Sequence, residues 1–143
     1  QMGWESFKDA DHPYLVHLPK ISLRALAEEL KQKTGAAQVR AAGALEMICQ
    51  QVVFMPGSGG GEWQVEALGK YKADVVICGE APEWQTPEYA RDAFAAGMAK
   101  GLLILGHERS EEAGMGLLAE WLREQFPGLP VTHIPSGDPI HIL

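Results

Sequence analysis

The string Gly106-His107-Glu108-Arg109-Ser110-Glu111 holds the best chemical pairing in the chain, an imidazole leaving an apolar run and a carboxylate four residues later opening a helical one. Both side chains can point at one spot beyond the end of the strand. Imidazole and carboxylate donors suit zinc or another divalent transition metal, which would lower the pKa of a bound water enough to make a nucleophile near neutral pH. The competing reading is plainer: Glu111 is welcome in a first helical turn through the helix dipole, and His107 is a surface residue.

A second candidate is the loop Gly57-Ser58-Gly59-Gly60-Gly61, whose unobstructed backbone N–H groups beside a helix N-terminus could cradle an oxyanion or phosphate. It fits neither GxGxxG nor GxxxxGK[ST], and the same glycines also serve a tight strand-to-helix turn. Glu80 follows the strand-ending Gly79 and is a candidate general base or a partner of a metal-bound group. His12, His17, His133 and His141 lack spaced partners. Ser136-Gly137-Asp138-Pro139 is a turn by composition, and Trp63, Trp84 and Trp121 are either a ligand wall or core.

The elements that must position these groups follow from periodicity. Residues 1–21 carry three aromatics, two prolines and no regular period, which predicts an extended lead-in lying across something else, with a single domain over 22–143. Leu23, Leu26, Ala27 and Leu30, behind Ser22 and ahead of Gly35, predict a capped amphipathic helix. Residues 38–41 suit a short strand. Three units then follow, each an apolar run, a glycine-bearing turn and a helix: Val52–Met55 with a helix that has Trp63, Ala67, Leu68 and Tyr71 on one side; Asp74–Cys78 with a helix capped by Thr86 whose Ala90, Ala93, Phe94 and Gly97 face inward; and Leu102–Leu105 with a helix capped by Ser110 that buries Met115, Leu118, Leu122 and Phe126. Val131-Thr132-His133-Ile134 reads as a last strand. Unbroken apolar strands alternating with helices predict an α/β fold with a mostly parallel sheet and helices on its faces. In such sheets ligands bind outside the carboxyl ends of the strands, where residues 57–61, 79–80, 106–111 and 135–139 would gather.

Composition limits the function classes. With 143 residues, 12 Lys+Arg against 19 Asp+Glu and a net charge of -7, the chain has a core of its own and no basic footprint for nucleic acid. No apolar stretch nears the roughly 20 residues that span a bilayer, and the start is not a signal peptide, so a cytoplasmic protein is expected. Cys49 and Cys78 lie in apolar runs without CxxC spacing and read as buried hydrophobes.

The glycine string at 57–61, Ala73-Asp74-Val75-Val76-Ile77-Cys78-Gly79-Glu80, the 106–111 string and Ala119-Glu120-Trp121-Leu122 together resemble the C-terminal part of the Nif-three-like family, whose members also carry the name of a type-two GTP cyclohydrolase I. The resemblance runs from about Ser22 to Pro139. It implies a dinuclear metal centre in a toroidal oligomer, with His107 and Glu111 as metal ligands and zinc, manganese or iron as the metal. The glycine loop and Gly79-Glu80 match segments near that site. Nothing before Ser22 matches the family's N-terminal half, which supplies further ligands, and Tyr89 stands where relatives often have a His. A two-metal centre needs several donors around ions roughly 3.5–4 Å apart, so this chain is expected to hold an incomplete site. The resemblance thus implies a metal-dependent hydrolase acting on a nucleotide or other phosphorylated metabolite, working as a homo-oligomer or with a missing N-terminal half. The alternative is a non-catalytic metal-binding or assembly module acting through oligomer contacts.

Overall fold

The computed structural model describes residues 2–141. Its centre is a five-stranded sheet in the order β1-β3-β4-β5-β2. The strands are β1 (Leu15–Ser22), β2 (Arg40–Ala42), β3 (Ile48–Met55), β4 (Val75–Cys78) and β5 (Gly101–Ile104), and the helices are α1 (Leu23–Thr34), α2 (Gly61–Gly69), α3 (Thr86–Ala95) and α4 (His107–Gln125). β3, β4 and β5 run parallel, while β1 and β2 close the two edges antiparallel. The α/β class and the mostly parallel sheet are therefore as the apolar runs predict.

The two sheet faces are separated residue by residue, because side chains alternate along a strand. Val52, Val75, Ile77 and Leu103 face α1, where Leu23, Leu26 and Leu30 are completely buried. Val53, Val76, Cys78, Leu102 and Ile104 face Ala67 and Leu68 of α2. Each fully buried Leu contributes about 1.5–3 kcal/mol relative to exposure. The α1 limits follow the sequence signals: the Ser22 hydroxyl accepts the Ala25 N–H at 3.2 Å, and Gly35 ends the helix in the left-handed region at φ 71°. Both cysteines are buried thiols, and desolvation pushes each up to about 12, which keeps them protonated and unreactive.

Several expectations are corrected. The segment read as an extended lead-in contributes β1, whose Leu15, Val16 and Leu18 join Trp4 in the core. Its Pro19 and Lys20 sit in an irregular stretch between His17 and Ile21, which broke the period-two pattern. Residues 131–134 form no strand; they run irregularly beside α4, tied by the Arg123 Nε–H to the Val131 carbonyl at 3.0 Å and by His133 Nε2 to Glu112 Oε1 at 2.6 Å. Trp63 and Tyr71, placed by sequence on one side of α2 with Ala67 and Leu68, are exposed, as are Phe94 and Gly97, which were expected to face inward; the inner face of α2 is Gly61, Gln64, Ala67 and Leu68, and that of α3 is Thr86, Ala90 and Ala93. α4 differs most. Met115, Leu118 and Phe126 are exposed and Leu122 is half-buried, while only Ser110 and Ala119 are buried. A helical apolar stripe predicts a face that wants covering, and this chain covers little of it. Among the described residues no helix is long and apolar enough to cross a membrane.

Candidate functional site

Parallel register sets the site. Met55, Cys78 and Ile104 are aligned across the sheet, so the three strands end together and their exits lie side by side. Backbone bonds then lock the exits: the Glu80 N–H donates to the Gly57 carbonyl at 2.9 Å and the Gly106 N–H to the Gly79 carbonyl at 3.0 Å. Ser110 completes the lock. It is not a cap, since α4 starts at His107 with Gly106 at the N-cap; its buried hydroxyl donates to the His107 carbonyl at 2.7 Å and accepts the Gly57 N–H at 2.9 Å. Thr86 is likewise not a cap. Its hydroxyl donates to Gln64 Oε1 at 2.7 Å, and Gln64 Nε2 donates to the Glu80 carbonyl at 2.7 Å.

These bonds bring together three of the residues singled out from the sequence. The His107 Nδ1–H donates to Glu80 Oε1 at 2.6 Å, and His107 Nε2 faces Glu111 Oε2 at 3.3 Å. All three side chains are about half exposed, at 45%, 56% and 49%. Gly57 lies directly below them: a Cβ there would run into Glu111 Oε1 and stand 3.4 Å from His107 Nε2, and its φ of 68° already favours glycine. They line a cleft of about 890 Å³ together with Arg40, Glu83, Arg109 and the 136–140 turn.

The other predicted residues are placed apart from this trio. Ser58, Gly59 and Gly60 are exposed on the approach to α2, and the Gly57 N–H is already donated to Ser110. The first turn of α2 is faced by the Gln85 amide oxygen and Pro82, against which a Cβ at Gly61 would collide. His17 pairs with Asp9 at 2.8 Å and His12 packs edge-on against Tyr71 at 5.3 Å, both away from the cleft. Trp63 on α2, Trp84 in the turn before α3 and Trp121 on α4 are all exposed. Gln64 and Ser110 were missed as positioning groups; a Gln on the inner face of a short helix and a Ser within four residues of a strand exit were the available signals.

The hydrogen bond that His107 donates to Glu80, helped by Glu111, raises the His107 pKa above the usual imidazole value against a smaller desolvation effect. A raised folded-state pKa means that the charged imidazole stabilises the fold below its unfolded value, and that this contribution is lost as pH rises through the folded one. Glu80→Gln is therefore expected to lower the His107 titration midpoint, read by NMR of the imidazole protons. An unchanged midpoint would show that the hydrogen bond does not govern this ring.

The donor chemistry suits zinc, manganese or iron: an imidazole nitrogen and a carboxylate oxygen converge above a glycine, with the other ring nitrogen held by a second carboxylate. The donor number falls short. Among the described residues no group of three or more His, Cys, Asp or Glu is placed to hold an ion.

Comparison with known proteins places the chain as a whole. The chain is 28% identical over 127 residues to the GTP cyclohydrolase 1 type 2 homolog of Yersinia pestis, covering 89% of this chain and 48% of that protein. It thus spans about half the length of the curated relative it matches. Two solved structures share the fold: the protein ybgI, of unknown function, at a TM-score of 0.72 and 24% identity over 90% of this chain and 50% of that one, and a Bacillus cereus protein related to NIF3 at 0.70 and 23% over 90% and 35%. The model of the family Duf34/NIF3 (NGG1p interacting factor 3) matches residues 6–139. Because that match takes in every strand, every helix and the whole Glu80–His107–Glu111 cluster, the chain belongs to the Duf34/NIF3 family.

Proposed function

We propose that this chain provides the His107 and Glu111 part of a divalent-metal site whose remaining donors come from a further segment or another copy. The completed site would serve a hydrolase acting on a nucleotide or related phosphorylated metabolite. The observation that carries this reading is the orientation of one ring. With its Nδ1–H donated to Glu80, a neutral His107 turns the lone pair of Nε2 towards Glu111 at 3.3 Å, where two acceptors need a proton or a cation between them. Glu80, a candidate proton acceptor by sequence, acts here as a positioning residue of the carboxylate–histidine kind. A divalent ion in that position supplies Lewis acidity and a nucleophile at neutral pH. The name of the Yersinia pestis relative, GTP cyclohydrolase 1 type 2 homolog, supports a nucleotide as the substrate class.

Paramagnetic broadening by Mn²⁺, read by NMR on this chain, tests the metal part. Broadening is expected to centre on Gly57, His107 and Glu111 and to vanish in His107→Ala, with Glu80→Gln weakening the apparent affinity about 10–100-fold. Broadening that is indifferent to His107→Ala sinks the reading.

The exposed apolar face of α4 favours a second reading, that the chain works chiefly as an assembly module. Met115, Leu118 and Leu122 recur at helical spacing with Trp121 and Phe126 beside them, and such a face marks an interaction surface. Sedimentation of Leu118→Glu against the unaltered chain checks it: self-association lost in the variant supports assembly, and identical behaviour removes it.

A further inference from the structure

The cleft above His107 is strongly acidic. Glu80, Glu83, Glu108, Glu111 and Asp138 line it against two permanent cations, Arg40 and Arg109. An anionic ligand entering it therefore depends on where those cations stand and on how firmly each is already held.

Arg109 is the more enclosed of the two. Its side chain is 28% exposed and lies beside Glu108, itself 11% exposed, at 3.5 Å. Arg40 stands otherwise. It opens the edge strand β2, opposite Ile104, from which Leu105 and Gly106 lead directly into His107. Its backbone is thus fixed by the sheet at the same rim as the Glu80–His107–Glu111 cluster, and the fields of Arg40 and Glu80 both act on the buried Cys78 beneath them, in opposite directions. The guanidinium is half exposed and pairs with Glu83 at 2.6 Å, a loop carboxylate that is 77% exposed.

We infer that Arg40 is the anion-gripping residue of this cleft, and that Glu83 is a stand-in carboxylate displaced when a phosphate-type group arrives. Exposed ion pairs are weak because water and salt screen both partners and two long side chains must be held. A phosphate offers a guanidinium two parallel charge-assisted hydrogen bonds, so the exchange is favourable and directional. The cleft volume of about 890 Å³ lies within the range of small-molecule sites, and Arg40 and His107 are both on its lining, so one ligand can meet both. Its anionic end would lie on Arg40 and its reacting end at His107 and Glu111. The inference deepens the reading above and rests on it for the identity of this cleft as the working site.

The test uses pyrophosphate as the probe, with EDTA present, followed by amide and side-chain NMR shifts on the full chain. Working without metal keeps the two ideas apart: a chain that fails the manganese test and passes this one retains its anion site. Saturable shifts are expected at Arg40, Glu83 and the 104–107 segment. Arg40→Gln is expected to bind about tenfold or more weakly, the loss of a charge-assisted contact. Arg40→Lys should fall between, and Glu83→Gln should bind several-fold more tightly because its competitor is gone. Arg24→Gln, on α1 and paired with Glu46, is the control and should bind unchanged. Unaltered affinity in Arg40→Gln, weaker binding in Glu83→Gln, or no saturable shift in either the unaltered chain or Glu83→Gln overturns the inference; unchanged melting of Arg40→Gln confirms that a loss is local.

Discussion

Gly79→Ala is expected to destabilise the protein by about 3 kcal/mol and to uncouple His107 from Glu80, the cost of forcing a methyl group into a closed backbone junction. The added Cβ would stand 2.6 Å from the Gly57 carbonyl oxygen, 2.6 Å from Ser110 Oγ and 2.8 Å from the Gly57 nitrogen. None of these atoms can retreat freely. The Gly57 carbonyl accepts the Glu80 N–H, and the Gly57 N–H is donated to the Ser110 hydroxyl, so any displacement lengthens bonds that hold the ends of β3, β4 and α4 together. Movement of Gly57 also removes the floor beneath Glu111 and His107. Denaturant unfolding measures the stability loss, and the His107 imidazole shifts measure the uncoupling. Gly114→Ala is the matching control, since a Cβ there meets nothing within 4 Å, and the change should gain about 0.5–1 kcal/mol from helix propensity. A Gly79→Ala protein as stable as the unaltered chain would show that the strand exits are not locked as described.

Gln64→Ala is expected to cost a similar amount, about 3 kcal/mol, by a different route: a buried hydroxyl and a part-buried carbonyl lose their partners and a cavity opens. Gln64 is fully buried on α2, accepts from Thr86 at 2.7 Å and donates to the Glu80 carbonyl at 2.7 Å. The loss should therefore be felt at the site as well as in the core, through a less ordered Glu80 and a lower His107 midpoint. Thr86→Val removes the other end of the same bond. Combined with Gln64→Leu, it should be less damaging than the sum of the single changes by about 1 kcal/mol, because no orphaned hydroxyl or amide oxygen remains between them. Strict additivity in that cycle would mean that the Gln64–Thr86 bond contributes nothing.

Both predictions turn on residues whose importance is local in space and remote in sequence. Gly79 reads from the chain as an ordinary turn glycine, yet its close neighbours are Gly57 and Ser110. Ser110 reads as a helix cap because a small hydroxyl residue precedes an amphipathic run; the helix instead begins three residues earlier, at His107, and the hydroxyl ties the first turn of α4 to the β3 exit at Gly57. The same shift puts His107 and Glu111 on one helix at i and i+4, which is why their side chains meet.

Hydrophobic patterning alone determined the α/β class, the three strand–turn–helix units and the capped α1, since burial on two faces demands unbroken apolar strands and burial on one face demands a helical stripe. It also located His107 and Glu111 at a strand exit, because a ligand-type pair four residues apart is visible in one dimension. Only the tertiary structure decided that residues 15–22 pair as an edge strand, that residues 131–134 do not, and that the apolar stripe of α4 faces outward. It alone set Glu80 on His107, and Arg40 across the same cleft against Glu83. The physical reason is that periodicity reports how much of an element must be covered, whereas the covering surface and the partners across a cleft are fixed by register between segments that are distant along the chain.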